Sequence, residues 1–280
     1  MELIYHIMDT LLPFSWTEYT FMKNALLAVL LMTPLFGLLS TMVVSNRMAF
    51  FSDSLGHGAF TGLAVGVLLG WLSPLLSLVA FSVVFALLIT YIKNRSSAST
   101  DTIIGVFSST GIALGLMLMS RGGGFNKYSS YLIGDLLSIS PEEIGSLFFV
   151  FLAVVLVWAL VFNSLLVLSI NASFARSRGV AAFLTEGLFA SVLAVVVAVS
   201  IQWVGILIIN ALLVLPGAAA RNVARSVKEY HLIAILTALV AGIVGLFSAY
   251  YLGIAAGAAI VAAAALIFFL SLALRTRVQR

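Results

Sequence analysis

The sequence predicts an all-α, polytopic transmembrane helical bundle, and three bulk properties support that prediction. Of the 280 residues, 62% are hydrophobic and only 9% are charged, and the mean hydropathy is +1.20. A soluble domain carries roughly 25% charged residues, so this chain lacks the polar surface that a water-soluble globule needs. We therefore expect a single transmembrane domain over residues 1–280, embedded in the lipid of the cytoplasmic membrane as a multi-pass protein.

Apolar runs mark the individual helices. A transmembrane helix requires about 20 mostly apolar residues, and the chain offers nine such stretches. In order, they are 22–44, 49–71, 74–92, 102–120, 145–168, 180–200, 202–218, 231–250 and 254–274. Because the seventh is the shortest, the sequence predicts eight or nine membrane segments, in which 202–218 either crosses fully or forms a broken or re-entrant helix.

Basic residues orient the bundle. If the N-terminus lies outside and nine spans alternate, eleven of the 14 Lys and Arg residues fall on the cytoplasmic side and three fall outside. The cytoplasmic set is Arg47, Lys93, Arg95, Arg176, Arg178, Arg221, Arg225, Lys228, Arg275, Arg277 and Arg280. This is the positive-inside pattern. Because these residues are scattered between apolar runs, the net charge of +4 indicates cytoplasmic loops, and we expect no nucleic-acid partner.

Two loops are long enough to have a role of their own. The middle of segment 121–144 is amphipathic, which predicts that it lies on the outer interface or dips into it. Segment 216–230 is cytoplasmic, and its basic residues at 221, 225 and 228 are spaced to share one face of a short helix. This face is either a contact surface for an ATPase or the basic side of an ordinary positive-inside loop.

Asp53 and His57 are the most informative residues in the chain. They lie four apart in the second span and therefore share one helical face. Burying ionisable side chains in hydrocarbon is costly, so such residues are functional candidates. If Arg47 marks the inner interface, His57 lies about 15 Å deep, near the middle of a roughly 30 Å core. A carboxylate and an imidazole offer oxygen and nitrogen ligands to a divalent cation.

Two interpretations of this pair remain open. It either binds a transported cation near the midplane or only hydrogen-bonds neighbouring helices in a structural scaffold. Two side chains do not complete a metal site, so further ligands must come from elsewhere. On the adjacent ridge of the same helix, every fourth residue is a glycine, namely Gly58, Gly62, Gly66 and Gly70. We expect this glycine ridge to pack closely against another helix, beside the acid and the imidazole.

Missing motifs limit the chemistry. The chain has no G-x-x-x-x-G-K-[ST] P-loop, no H-E-x-x-H and no G-x-S-x-G. It also has no cysteine, which excludes thiolate metal ligands and Cys nucleophiles. We therefore expect a transport subunit and not an enzyme. We expect its transport to be coupled either to an ion gradient or to a separate ATPase.

Five stretches, taken together and in this order, carry a family resemblance. They are Arg47–His57, Asp101–Gly105, Tyr131–Ser140, Val204–Pro216 and Ala218–Ser226. In these stretches the chain resembles the ABC-type permease family that imports zinc, manganese or iron. It is most similar to the membrane subunits of bacterial high-affinity zinc uptake systems.

The resemblance implies a homodimer of this permease, with two copies of an ABC ATPase subunit and an extracytoplasmic metal-binding protein as partners. Zn²⁺, Mn²⁺ or Fe²⁺ would be the cargo, and no cofactor would be bound permanently. Asp53 and His57 match the family's D-x-x-x-H pair in the metal path. Arg221, Asn222 and Arg225 match the family's ATPase-coupling segment.

The chain departs from the zinc-type pattern at two places. Ser108 and Ser109 stand where zinc-type members often have a histidine, and the loop 250–257 lacks the Asp-x-Pro often seen before the final span. Fewer imidazole ligands favour a harder cation such as Mn²⁺, so the identity of the metal stays open. The alternative function is a gradient-driven secondary metal transporter, in which the same acid–imidazole pair relays protons.

Overall fold

The computed structural model describes residues 1–11, 15–70, 73–121, 131 and 134–278, and it contains helices and no strand within these residues. The helices are α1 (Glu2–Leu11), α2 (Thr20–Ser45), α3 (Ala49–Leu69), α4 (Pro74–Arg95), α5 (Thr100–Arg121), α6 (Pro141–Ile170), α7 (Ala172–Ser177), α8 (Ala182–Val204), α9 (Ile206–Val223), α10 (Val227–Leu252) and α11 (Ala256–Val278). Single 3₁₀ turns lie at Ser15–Glu18 and Leu136–Ser138. The predicted all-α fold class is confirmed.

Seven of the described helices are long and apolar enough to cross a membrane, namely α2, α4, α5, α6, α8, α10 and α11. The remaining two predicted spans correspond to α3 and α9. The hydropathy of α3 is lowered by its acid, its imidazole and its glycines, whereas α9 has only 18 residues, or about 27 Å of helix. Full crossing by these two helices stays a prediction.

Helices α8 and α9 are separated by Gly205 alone, which has φ 86° and ψ 150°. A positive φ of this kind is readily adopted only by glycine. Because α9 begins at Ile206 and continues through Pro216 to Val223, the expectation that a loop starts at residue 216 is wrong. Proline is tolerated in membrane helices because neighbouring groups satisfy the backbone atoms that it frees.

The helices pack in two overlapping groups. α2 packs against α6, α9 and α10, while α3 packs against α4, α5, α8 and α9. Glycines allow the closest approaches in the first group. A Cβ atom at Gly37 of α2 would lie 2.7 Å from the Cα of Ile235 in α10, and one at Gly217 of α9 would lie 2.6 Å from the carbonyl oxygen of Ser40.

The described part of the 121–144 loop packs into the end of the bundle, whereas contact of the loop with the outer interface stays a prediction. Leu136 and Ile139 are buried, and their segment packs against α2, α8 and α11. The side-chain amide of Asn24 in α2 donates to the carbonyl of Ile139 at 3.1 Å. Residues 122–130, which include the Gly-Gly-Gly run, lie outside the described part of the chain.

Helix α1 is fixed to the start of α2 by polar contacts. The Tyr5 hydroxyl donates to the side-chain oxygen of Asn24 at 2.5 Å, and the Asp9 carboxylate lies 2.5 Å from the Lys23 ammonium group. Burial raises the pKa of Tyr5 above its ordinary value, and the Glu142 carboxylate acts in the same direction. The phenol therefore stays neutral and keeps its proton for Asn24.

The glycine ridge of α3 packs against α4 at three of its four positions. A Cβ atom at Gly58 would lie 2.5 Å from the Phe85 ring, one at Gly62 would lie 2.5 Å from the Cβ of Phe81, and one at Gly66 would overlap the side chain of Ser77. These contacts confirm the predicted close packing.

The fourth position, Gly70, does not follow the prediction. Gly70 has no heavy atom near its missing side chain and instead ends α3 in the left-handed conformation, with φ 63°. Gly70 continues the four-residue spacing of the ridge glycines, but its role is to end the helix.

We expect Gly62→Ala to destabilise the protein by about 1–3 kcal/mol, which is the usual penalty for overpacking. The new methyl group would meet Phe81 at its Cβ, an atom that cannot move unless the α4 backbone moves. Thermal unfolding of the detergent-purified chain should therefore show a lower midpoint. Gly145→Ala in α6 is the matched control, because no heavy atom lies within 4 Å of its Cβ position. Equal midpoints for the two variants would contradict close packing of α3 on α4.

Candidate metal site

The Asp53 carboxylate and the His57 imidazole lie one turn apart on α3, the helix that packs against α4, α5, α8 and α9. The Nε2 atom of His57 lies 3.7 Å from the Oδ2 atom of Asp53. This separation allows an ion pair but exceeds hydrogen-bond distance. The His57 side chain is 21% exposed and that of Asp53 is 41% exposed, so an incoming ion can reach both from outside the chain.

The faces of α3 on either side of this pair are occupied by α9 and α5. Towards α9, the Ser52 hydroxyl lies 2.8 Å from the side-chain oxygen of Asn210. Towards α5, the Thr61 hydroxyl donates to the carbonyl oxygen of Gly111. The metal-binding candidates therefore lie on the strip of α3 between two fixed interhelical contacts, which hold the helix in one rotation about its axis.

The glycine contact with α4, which the sequence predicts beside the pair, lies on the far side of α3 from Asp53. Asp53 and Gly62 are nine residues apart, and at about 100° per residue they point in opposite directions from the helix axis. Because Gly62 faces α4, the carboxylate of Asp53 faces away from α4. The pair is thus placed on the open side of the α3 packing group.

Within the described residues, Asp53 and His57 are a pair of candidate ligands and not a larger cluster. Among the described residues, no group of three or more His, Asp or Glu side chains is close enough to hold a metal ion. Divalent transition metals take four to six ligands in proteins. Asp53 and His57 therefore need additional ligands from water, from backbone carbonyls or from another chain.

The three predicted coupling residues lie close together in sequence but make different contacts. Arg221 is exposed in the last turn of α9, and Arg225 is exposed in the connection to α10. Asn222 points towards α11, where its side-chain amide donates to the Ser271 hydroxyl at 3.0 Å. The two arginines are therefore available to a partner, whereas Asn222 stabilises the packing of α9 on α11.

The prediction of a separate short helix with a single basic face is wrong. The backbone becomes extended at Ala224, with ψ 141°, and again at Ser226, with ψ 162°. Ser226 caps α10 by accepting from the backbone N–H of Glu229 at 3.2 Å. Because the chain leaves helical geometry here, Lys228 belongs to a different helix from Arg221, and helical spacing does not align them.

An open cavity of about 350 Å³ lies at this connection and is lined by both arginines and by Tyr230. The Tyr230 hydroxyl donates to the carbonyl oxygen of Thr41 in α2 at 3.2 Å. This bond joins the first turn of α10 to α2.

One contact of the site escaped sequence reasoning. Thr61 follows Asp53 and His57 at the same spacing of four residues, so all three lie along one ridge of α3. The spacing was visible in the sequence, but a threonine in an apolar span gives no sign of its partner. Only the packing of α5 shows that Thr61 fixes the ridge.

Comparisons with known proteins agree along nearly the whole chain. Residues 18–275 match the family model described as the ABC 3 transport family. The chain is 29% identical to the manganese import system permease protein ScaB of Streptococcus gordonii, with 91% of each chain covered. It is 28% identical to the high-affinity zinc uptake system membrane protein ZnuB of Haemophilus influenzae, over 90% of this chain and 97% of the relative.

Solved structures agree as well. The structure of PsaBC from Streptococcus pneumoniae in complex with Fab superposes with a TM-score of 0.81 at 27% identity, covering 97% of this chain and 95% of the other. An inward-facing structure described as a metal-chelate type ABC transporter superposes with a TM-score of 0.68 at 19% identity, covering 90% and 85%. The second likeness concerns the fold alone.

Proposed function

This chain belongs to the ABC 3 transport family, and we propose on that basis that it moves a divalent transition metal through a site formed by Asp53 and His57. It is a membrane permease subunit of an ABC importer, a transport component and not an enzyme. The cargo we propose is Zn²⁺, Mn²⁺ or Fe²⁺. The observation that supports the site most directly is the open acid–imidazole pair, 3.7 Å apart on the free strip of α3.

We propose that a second copy of the chain supplies the further ligands. The pair lies on the side of α3 away from α4, and each chain contributes too few ligands for a complete site. If two chains meet across this strip, two carboxylates and two imidazoles surround one passage. Four mixed oxygen and nitrogen ligands are sufficient for a divalent transition metal. A homodimer therefore explains both the exposure of the pair and its incompleteness.

The proposed partners follow from what the chain lacks and from its family. It has no P-loop, so two copies of an ABC ATPase subunit would supply the energy from the cytoplasmic side. We propose that Arg221 and Arg225 contact that subunit, and that Asn222 holds their segment against α11. An extracytoplasmic metal-binding protein would deliver the ion to the outer face.

Which metal the chain carries is a separate question from where the metal binds. The relatives named for manganese and for zinc are similar to this chain to nearly the same degree. Serines at positions 108 and 109 in place of a histidine favour Mn²⁺. For each of these metals His57 must be neutral to act as a ligand, so protons compete with the metal and acid weakens its binding.

The energy source is tested by reconstitution. We expect liposomes that contain this permease and its ATPase subunit to accumulate metal only when ATP is present and can be hydrolysed, with little effect of a protonophore. Uptake that needs no ATPase and stops when the proton gradient is collapsed would support the gradient-driven alternative. Supplying zinc, manganese and iron singly in the same assay identifies the cargo.

A further inference from the structure

A basic and aromatic pocket lies at the cytoplasmic ends of α4 and α8, away from the metal-binding strip. The pocket has a volume of about 250 Å³ and is lined by Tyr91, Asn94, Arg95 and Phe183. One water molecule takes up roughly 30 Å³, so the space admits a group of several heavy atoms. Neither the proposed metal path nor the proposed ATPase contact uses any of these residues.

The positive charge of this pocket is held in place by aromatic rings. The guanidinium carbon of Arg95 lies 5.4 Å from the centroid of the Tyr91 ring, within the range of a cation–π contact. The Tyr91 ring in turn meets the Phe183 ring edge-on, with centroids 6.4 Å apart and an interplanar angle of 76°. Arg95 is exposed, and its guanidinium lies against an aromatic contact between α4 and α8.

The charge of Arg95 is not neutralised by an acidic neighbour within the described ranges. The nearby carboxylate of Glu186 is already paired with Lys93 at 2.9 Å and accepts from the Asn94 amide at 3.3 Å. That ion pair lines a separate cavity of about 290 Å³, which also contains Arg47 and Asp101. The Arg95 pocket therefore has a net positive charge, whereas the positive and negative side chains that line the neighbouring cavity are equal in number.

Below the pocket, the outer surfaces of both helices are apolar and exposed. Within two turns of the pocket residues, towards the middle of the span, both helices carry exposed leucines, namely Leu87 and Leu88 on α4 and Leu184 and Leu188 on α8. Since α4 packs on the side of α3 opposite to Asp53, this surface lies on the far side of the chain from the strip where the second copy is proposed. An exposed apolar surface at this depth contacts acyl chains.

We propose that this pocket binds the headgroup of an anionic glycerophospholipid from the inner leaflet, with Arg95 on the phosphate and the acyl chains along the exposed leucines. Inner-leaflet location follows from the cytoplasmic position of Lys93 and Arg95. Arginine recognises a phosphate with a planar set of donors, and basic pockets between membrane helices on this side select anionic headgroups. Lipid bound here would join α4 to α8 at the end where Lys93 and Glu186 also join them.

Native mass spectrometry of the full chain, purified in neutral detergent and stripped of lipid, tests this proposal. We expect phosphatidylglycerol to bind more tightly than phosphatidylcholine. Arg95→Gln should weaken phosphatidylglycerol binding about fivefold, the effect of one basic residue near the membrane surface. Arg95→Lys keeps the charge but loses the planar set of donors, so it should retain more phosphatidylglycerol binding than Arg95→Gln. The matched control Lys228→Gln removes one exposed cytoplasmic charge on α10 and should change nothing.

Three results would overturn the lipid site. The first is equal binding of the two lipids by the wild-type chain, and the second is phosphatidylglycerol binding by Arg95→Gln at the wild-type level. The third is displacement of phosphatidylglycerol by inorganic phosphate at similar concentrations, which would indicate a site for free anions. None of these outcomes depends on the metal path, because Asp53 and His57 are intact in every variant.

Discussion

The variant His57→Gln is expected to abolish metal uptake while leaving the permease folded in the membrane. Losing a group that only orients a metal ligand costs 10–100-fold in metal affinity, so losing a ligand should cost at least about 100-fold. Asp53→Asn should have an effect of the same size, because it removes the charge and keeps the shape. Uptake of zinc, manganese and iron by cells that carry each variant as their only copy measures the effect.

The matched control is His6→Gln. His6 is exposed on α1, outside the proposed path, and its side chain undergoes the same chemical change. Membrane levels of all variants should equal those of the wild type, because the side chains of His57 and Asp53 are partly exposed and, among the described residues, make no hydrogen bond to another helix. Normal uptake by both site variants would remove the proposed site. An equal loss of metal uptake in His6→Gln would show that a His→Gln substitution reduces uptake wherever it is placed.

Charge reversal at Arg221 and Arg225 should have the second largest effect, on coupling and not on metal binding. Both side chains are exposed beside the open cavity at the α9–α10 connection. If the two arginines face an acidic ATPase surface, glutamates there place like charges across the interface at a cost of several kcal/mol, so Arg221→Glu with Arg225→Glu should reduce ATPase association more than tenfold. Co-purification of the ATPase and ATP-driven uptake should fall together, while the isolated permease still binds metal.

The control for this prediction is Arg176→Glu on α7, which reverses an exposed cytoplasmic charge elsewhere. It should keep both the ATPase and uptake. Asn222→Ala separates packing from contact, since it loses the bond to Ser271 and should lower thermal stability by about 1 kcal/mol. Full ATPase binding by the double arginine variant would show that the complex is held elsewhere on the cytoplasmic face.

Much of the fold could be predicted because lipid imposes one simple requirement. Any backbone in hydrocarbon must satisfy its own hydrogen bonds, so apolar runs of sufficient length become helices. Element ends were harder to place. The sequence predicts a loop from residue 216, but neighbouring helices allow α9 to continue through Pro216 to Val223. Gly70 is predicted as a packing residue but ends α3.

The candidate site was predictable only in part, for a different reason. Helical spacing placed Asp53 and His57 on one face because both belong to a single uninterrupted helix. The same rule failed for Arg221 and Lys228, because extended residues at 224 and 226 separate their helices. Contacts between helices, such as Thr61 with Gly111, depend on packing that no local pattern encodes.

Equilibrium metal binding to the purified permease tests the central claim most directly. Elemental analysis after dialysis against zinc, manganese or iron gives the metal retained per chain. We expect the wild type and His6→Gln to retain the same metal, and Asp53→Asn and His57→Gln each to lose it. Metal retained at the wild-type level by both site variants would contradict the claim that an acid and an imidazole on α3 hold the transported ion.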